Sequence, residues 1–267
     1  MLTPKDVAIK EEARCALGMS EVADEHVPIA GGCACRGEPK TWVNTAIGLG
    51  LVGEVTRADV DRLVEFHEIA GHDPKIEVCP YAHPSLLAHV REAGFAPLSF
   101  ESVLAREIDA SVDARAPMPL GDGITLRVLD PADEELAAEV ARVVTAGFSP
   151  GDKPVREEDV HLFMRCIRHP RTVGIAAYAD GACVGAGFYD IVGGLAALFG
   201  LSVSPNYRRR GVQQALMAFR LNAVARAGAK IATIGGLPGE ATERNAMRFG
   251  FRVMYHKMTL VKQRKER

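Results

Sequence analysis

Three arginines and a glycine, Arg208-Arg209-Arg210-Gly211, lie between an apolar stretch ending at Val203 and an amphipathic one beginning at Val212. Pro205 breaks the first before the basic run begins, and no Asp or Glu falls between Ser202 and Gln213. The first backbone N–H groups of a helix lack intrahelical partners, and the aligned peptide dipoles place roughly half a positive charge there. Gly211 removes a Cβ from the point of closest backbone approach. Strand, basic glycine turn and helix in that order predict a cradle for an anion, a phosphate or pyrophosphate. A solvated surface turn could also carry three arginines, and it is the flanking strand and helix that distinguish this one.

Those flanking elements continue in a regular series. Val212, Ala215, Leu216, Phe219, Ala223 and Val224 form a helical stripe fit to pack on a sheet, and Gly228 ends that helix. A strand is predicted over 230–234 and a helix over 240–249, stopped by Gly250, before a last strand over 251–261. Upstream, the pattern predicts a strand over 124–129 and helices over 134–144 and 157–167. A hairpin over 172–190 turns at Asp180-Gly181.

The run Val203-x-Pro205-x-x-Arg208-x-x-Gly211-x-Gln213 resembles the acyl-CoA signature of the GNAT superfamily of N-acetyltransferases. That signature reads Gln or Arg, two residues, Gly, one residue, then Gly or Ala. Gln213 departs from it at the last position, which implies a weaker or differently angled pyrophosphate contact. The resemblance covers residues 124–262 and implies a mixed α/β fold with acetyl-CoA as co-substrate. Arg208, Arg209, Arg210, Gly211, Val212 and Gln213 would then hold the pyrophosphate. Leu201 and Val203, on a kinked fourth strand, would offer backbone groups to the pantetheine arm and the thioester carbonyl. Asn245 would hold CoA or order the last helix.

Acetyl transfer to an amine needs a base, donors for the carbonyl oxygen and a proton for the leaving thiolate. Relatives supply a Glu on the fourth strand and a Tyr four residues before the Gly of the final Gly-Phe pair. Here the fourth strand has no Glu, and the second position is Ala246. Asp190 and Tyr255 are the candidates taken forward for acid–base work. Glu157, Glu158 and Asp159 remain open as a base, although acidic residues suit any helix N-terminus. Tyr189 and His256 are further polar groups, and orientation alone can lower the barrier. A non-catalytic acyl-CoA-binding or protein-interaction module is the alternative.

The N-terminal half repeats the series faintly. A helix over 59–69, a strand over 75–79 and a helix over 84–93 again run into a Gly-Phe pair, Gly94-Phe95, followed by a strand over 98–106. The expected organisation is therefore a degenerate GNAT-like domain over 1–108, a linker over 109–123 and an acetyl-CoA-binding domain over 124–267. In the first copy the counterpart of the arginine loop holds Glu54, Asp59 and Asp61, and Thr56 with Asp59 forms a capping box. Such a helix satisfies its own donors and repels phosphate.

Composition bounds the rest. The chain has 267 residues and a net charge of -2, which gives no general reason to expect nucleic acid or membrane as partner. Lys5 to Leu17 reads as a polar helix, not a signal peptide, and the expected compartment is the cytoplasm. Six scattered cysteines match no tetrahedral zinc spacing, so no metal is expected. The expected partner is a small-molecule or peptide amine; a homodimer stays open.

Overall fold

The computed structural model describes residues 2–149 and 154–263. The chain forms two compact units that interleave along the sequence. One comprises Met1–Leu104, Gly236–Glu243 and Val253–Arg267, the other Ala105–Gly235 and Arg244–Arg252.

The first unit begins with α1 (Pro4–Val22), capped by Thr3, whose side chain accepts from the Asp6 N–H. Next come β1 (Glu25–Ile29) and β2 (Gly32–Arg36), an antiparallel hairpin turning at Ala30-Gly31, both with positive φ. A two-residue turn of that kind matches strand twist, and glycine adopts it without strain. Then follow β3 (Thr45–Ile47), α2 (Arg57–Ile69), β4 (Lys75–Val78), α3 (Pro84–Glu92) and β5 (Ala96–Glu107). Strand β11 (Arg252–Val261) completes the unit, giving the order β1-β2-β3-β4-β11-β5. It pairs antiparallel with β4 from Met258↔Val78 to Val261↔Lys75. Val60, Leu63, Leu86 and Val90 from the helices close over Ala34, Ile76 and Leu260 from the strands.

The second unit contains β6 (Ile124–Val128), α4 (Glu134–Phe148), α5 (Glu157–Arg168), β7 (Val173–Ala179), β8 (Ala182–Val192) and β9 (Leu195–Val203). A 3-10 turn over Pro205–Tyr207 leads to α6 (Val212–Arg226) and β10 (Ile231–Gly236). The strand order is β10-β9-β8-β7-β6. Helices α4 and α5 cover one face, Val140, Val144 and Phe163 packing on Ala186 and Phe188 of β8. Helix α6 covers the other through Val212 and Leu216, against Ile175, Ala177, Val184 and Tyr189. Alternate residues of β7 serve opposite faces, Ile175 and Ala177 towards α6 and Ala176 and Tyr178 towards α4 and α5, as the period of two demands.

The two series expected from the repeat both form: α2-β4-α3-β5, and α6-β10-α7-β11 with α7 at Ala241–Arg248. The sequence reading places β11 with the second domain, whereas it is built into the first unit. Among the described residues no helix is long and apolar enough to cross a membrane.

Candidate acyl-donor site

The basic turn and the strand before it belong to the second unit. Helix α6 starts at Gly211, which has φ +76°, and has no side-chain cap and no acidic residue in its first turn. Helix α2 of the first unit starts in the opposite way. Thr56 accepts from the Asp59 N–H while the Asp59 carboxylate accepts from the Thr56 N–H at 2.8 Å. The Thr56 hydroxyl, donating to the same carboxylate at 2.7 Å, and then the Thr56 N–H hold the Asp59 carboxyl below its ordinary pKa. One helix has filled its own anion site; the other leaves its leading N–H groups uncapped.

Arg208, Arg209 and Arg210 are all exposed. Arg208 donates from Nε to the Val203 carbonyl at 3.3 Å, and the Arg210 guanidinium lies 5.2 Å from the Tyr207 ring centre. The requirement for glycine at 211 differs from the expected one. A Cβ there would overlap the Pro119 carbonyl oxygen, because the segment before β6 passes across the turn. The Gly121 N–H donates to the Arg210 carbonyl at 3.0 Å, and the Met118 N–H to Gln214 Oε1 at 2.9 Å. The close approach that excludes a side chain is thus made by the chain itself. Gly211→Ala should lower the thermal midpoint, since the left-handed conformation alone costs a non-glycine residue about 1–2 kcal/mol, before the overlap is counted. An unchanged midpoint would mean that residues 118–121 do not hold this path in solution.

Gln213 and Asn245 form one polar chain. Asn245 Nδ2 donates to Gln213 Oε1, and Arg248 Nη1 donates to Asn245 Oδ1, both at 2.6 Å. Asn245 therefore ties α7 to the first turn of α6, and the departure at Gln213 supplies its acceptor.

Behind the turn lies a fork. Strands β9 and β10 pair in parallel only from Leu195↔Ile231 to Ala197↔Thr233. On its other edge β9 stays paired with β8, with one extra residue between Phe199 and Ser202. Such a bulge bends a strand and re-aims its groups. Gly200, in the bulge, has φ +60°, and a Cβ there would press on Phe163 and Phe188. The expected kink is therefore a one-residue bulge beside an edge that β10 has left. Leu201 and Val203 follow it, packed towards α6.

Asp190 pairs with Ala197 across β8 and β9, and Ala197 pairs with Thr233 across β9 and β10. Cross-strand partners share a face, so Asp190, Ala197 and Thr233 form a row at the head of the fork. Asp190 is 7% exposed. By alternation from Phe188 it lies on the α4–α5 face, opposite α6.

The other polar candidates are engaged elsewhere. Tyr255 belongs to the first unit and is buried, and its hydroxyl donates to Glu12 Oε1 at 2.7 Å. Burial, reinforced by the Glu12 and Glu11 carboxylates, pushes its pKa far up, so its proton is held tightly. His256, also in the first unit, has Nδ1 3.1 Å from Ser102 Oγ. In the second unit Glu157 accepts from Arg142 at 2.9 Å, while Glu158 and Asp159 lie 3.6 and 3.9 Å from Arg156. Tyr189 packs against the α6 side.

The sequence reading passes over Arg220, whose side chain is fully buried. It stands four residues after Leu216 and four before Val224, on the apolar stripe, and that register was the available signal.

These features have counterparts among known proteins. A model of the Acetyltransferase (GNAT) family matches residues 139–251. A GCN5-related N-acetyltransferase from Kribbella flavida superposes with a TM-score of 0.67 at 18% identity, covering 95% of this chain and 96% of that one. A tandem GNAT protein from the clavulanic acid biosynthesis pathway gives 0.61 at 11% identity, over 99% and 98% of the two chains. A GCN5-related N-acetyltransferase from Sphaerobacter thermophilus gives 0.54 at 19%, over 72% and 61%. No curated protein matches the sequence. At such identities the structural likeness is one of fold, while the family match falls on the segment that holds the fork, the bulge and the uncapped helix. Through that segment, residues 139–251, the chain is similar to the GNAT acetyltransferase family.

Proposed function

We propose that the second unit transfers an acetyl group from acetyl-CoA to a primary amine of a small-molecule or peptide acceptor. One observation carries this reading: the bulged, half-unpaired strand β9 runs directly into the uncapped N-terminus of α6 beside three exposed arginines. That arrangement fits a ligand with an anionic end and an acyl end. The leading N–H groups of α6 and Arg208 to Arg210 receive the pyrophosphate. The backbone of Leu201 and Val203 receives the pantetheine arm and the thioester. Asp190, at the head of the fork, takes the proton of the acceptor amine. The nitrogen lone pair attacks the thioester carbon, the C–N bond forms, and the C–S bond breaks. Its electron pair leaves with sulfur, and the thiolate takes a proton from solvent. An acetyl-CoA donor suits a cytoplasmic protein.

Thermal denaturation with and without acetyl-CoA tests the donor site. A ligand that binds only the folded state stabilises it by about 2.7 kcal/mol at a hundred times its Kd. The midpoint should rise in the wild type and stay fixed in Arg210→Glu, which places a carboxylate beside the phosphates. No rise in the wild type at millimolar acetyl-CoA overturns the reading. The absence of a Glu from strand β9 and of a Tyr at position 246 favours one competitor, acyl-CoA binding without turnover. A rise with no CoA released across a broad amine panel would select it.

A further inference from the structure

Arg220 reaches from α6 to the bulge of β9. Its Nη1 donates to the Phe188 carbonyl at 3.1 Å and to the Phe199 carbonyl at 3.3 Å, and its Nε to the Leu216 carbonyl at 3.2 Å. Among the described residues no carboxylate pairs with it, and burial pulls its pKa down to about 9, which leaves it charged at neutral pH. An uncompensated buried guanidinium is a costly feature of a fold. Gly187 makes room for it: a Cβ there would lie 3.0 Å from Arg220 Cζ and 3.1 Å from Nε and Nη1.

The two carbonyls that share Nη1 belong to cross-strand partners, Phe188 and Phe199. The Phe199 carbonyl therefore points towards β8. Among the described residues there are no cis peptide bonds, and in a trans peptide the C=O and N–H point in opposite directions. The Gly200 N–H, the other end of the same peptide, consequently lies on the edge of β9 that β10 has left. A cation bonded to the carbonyl draws electron density through the amide and makes its N–H a stronger donor.

We propose that Arg220 is a positioning residue for acyl transfer, fixing the Phe199–Gly200 peptide so that the Gly200 N–H is aimed at the thioester oxygen and polarised for it. The inference rests on the acyl-CoA reading above. Arg220 acts from the α6 face and Asp190 from the opposite one, so charge developing on the oxygen and the proton leaving the amine are handled on separate sides of the sheet.

Infrared spectra of acetyl-CoA carrying 13C at the thioester carbonyl test it without any acceptor. In the wild type the bound carbonyl band should fall below that of the free ligand. In Arg220→Met it should return to the free position, in Arg220→Lys only part of the way, with calorimetric affinity for CoA itself little changed. Gly187→Ala displaces the guanidinium without deleting it and should move the band as Arg220→Met does; it carries the test should Arg220→Met fail to fold. Identical bands in wild type and variant, with acetyl-CoA bound to both, overturn the role of Arg220. A wild type that binds no acetyl-CoA in the calorimeter removes the acyl-CoA reading first, and this inference with it.

Discussion

Asp190→Asn should release CoA from acetyl-CoA in the presence of an acceptor amine about 100- to 10,000-fold more slowly than the wild type, the range for loss of a general base. Its affinity for acetyl-CoA should be intact, because Asp190 lies across β9 from the edge proposed to receive the thioester. The argument rests on position. A carboxylate on β8 shares a row with Ala197, the small residue on β9 where the fork opens. A family member with Glu on the fourth strand would carry its base on β9 itself; here the neighbouring strand supplies the carboxylate. The change exchanges oxygen for NH2 at nearly constant shape, so packing is retained. Free-thiol release by wild type and variant across a panel of amines is the measurement. Equal rates would move proton transfer away from Asp190 and leave orientation as the source of rate.

Lys257→Met should cost the full chain about 3–5 kcal/mol of stability at neutral pH, the usual effect of removing one partner from a buried ionic group. Lys257 Nζ lies 2.7 Å from Glu77, 3.4 Å from Glu101 and 4.0 Å from Glu12. Lys257 and Glu12 are both buried. Burial pulls the Lys257 ammonium down, but Glu77, Glu12 and Glu101 outweigh it and hold its pKa well above the ordinary lysine value. A raised lysine pKa stabilises the fold fully below the unfolded value, and the contribution is lost only as pH rises through the folded one. At the acid end burial raises the carboxyls of Glu12 and Glu101, which therefore protonate early and no longer need a cation. The deficit of the variant should be full from neutrality to about pH 10 and narrow towards the acid end. Urea denaturation at about pH 5, 7.5 and 10 reads it through the linkage of protonation to unfolding. A deficit under about 1 kcal/mol at neutral pH would mean that the cluster is hydrated and worth no more than a surface pair.

Elements with strong local grammar were legible in the chain. The capping box at Thr56 and Asp59, the hairpin at Asp180-Gly181 and the glycine stops at Gly228 and Gly250 each encode their geometry within a few residues. The strand pairs β1–β2 and β2–β3 were not, because the two-residue turn at Ala30-Gly31 that joins the first pair is visible only in the backbone. At the site, the basic turn could be located from the order of its flanking elements, and the kinked strand from the family resemblance. Whether the Asp190 row faces the fork depends on register, which single-strand periodicity does not specify. Tyr255 was drawn to the site by its type, yet β11 pairs with β4 and takes the residue into the first unit. Arg220 was hidden because a cation on an amphipathic helix is ordinarily assigned to the solvent face.

The placement of β11 between β4 and β5 has a consequence for biosynthesis. During translation β4 and β5 emerge early, but the strand that fills the place between them is made only after the whole of the second unit. The first unit therefore waits with two open strand edges, the kind of surface that invites association with other chains. A messenger stopping after residue 108 would encode a sheet with its middle strand missing, so the first unit can complete its sheet only once the chain has been made through β11.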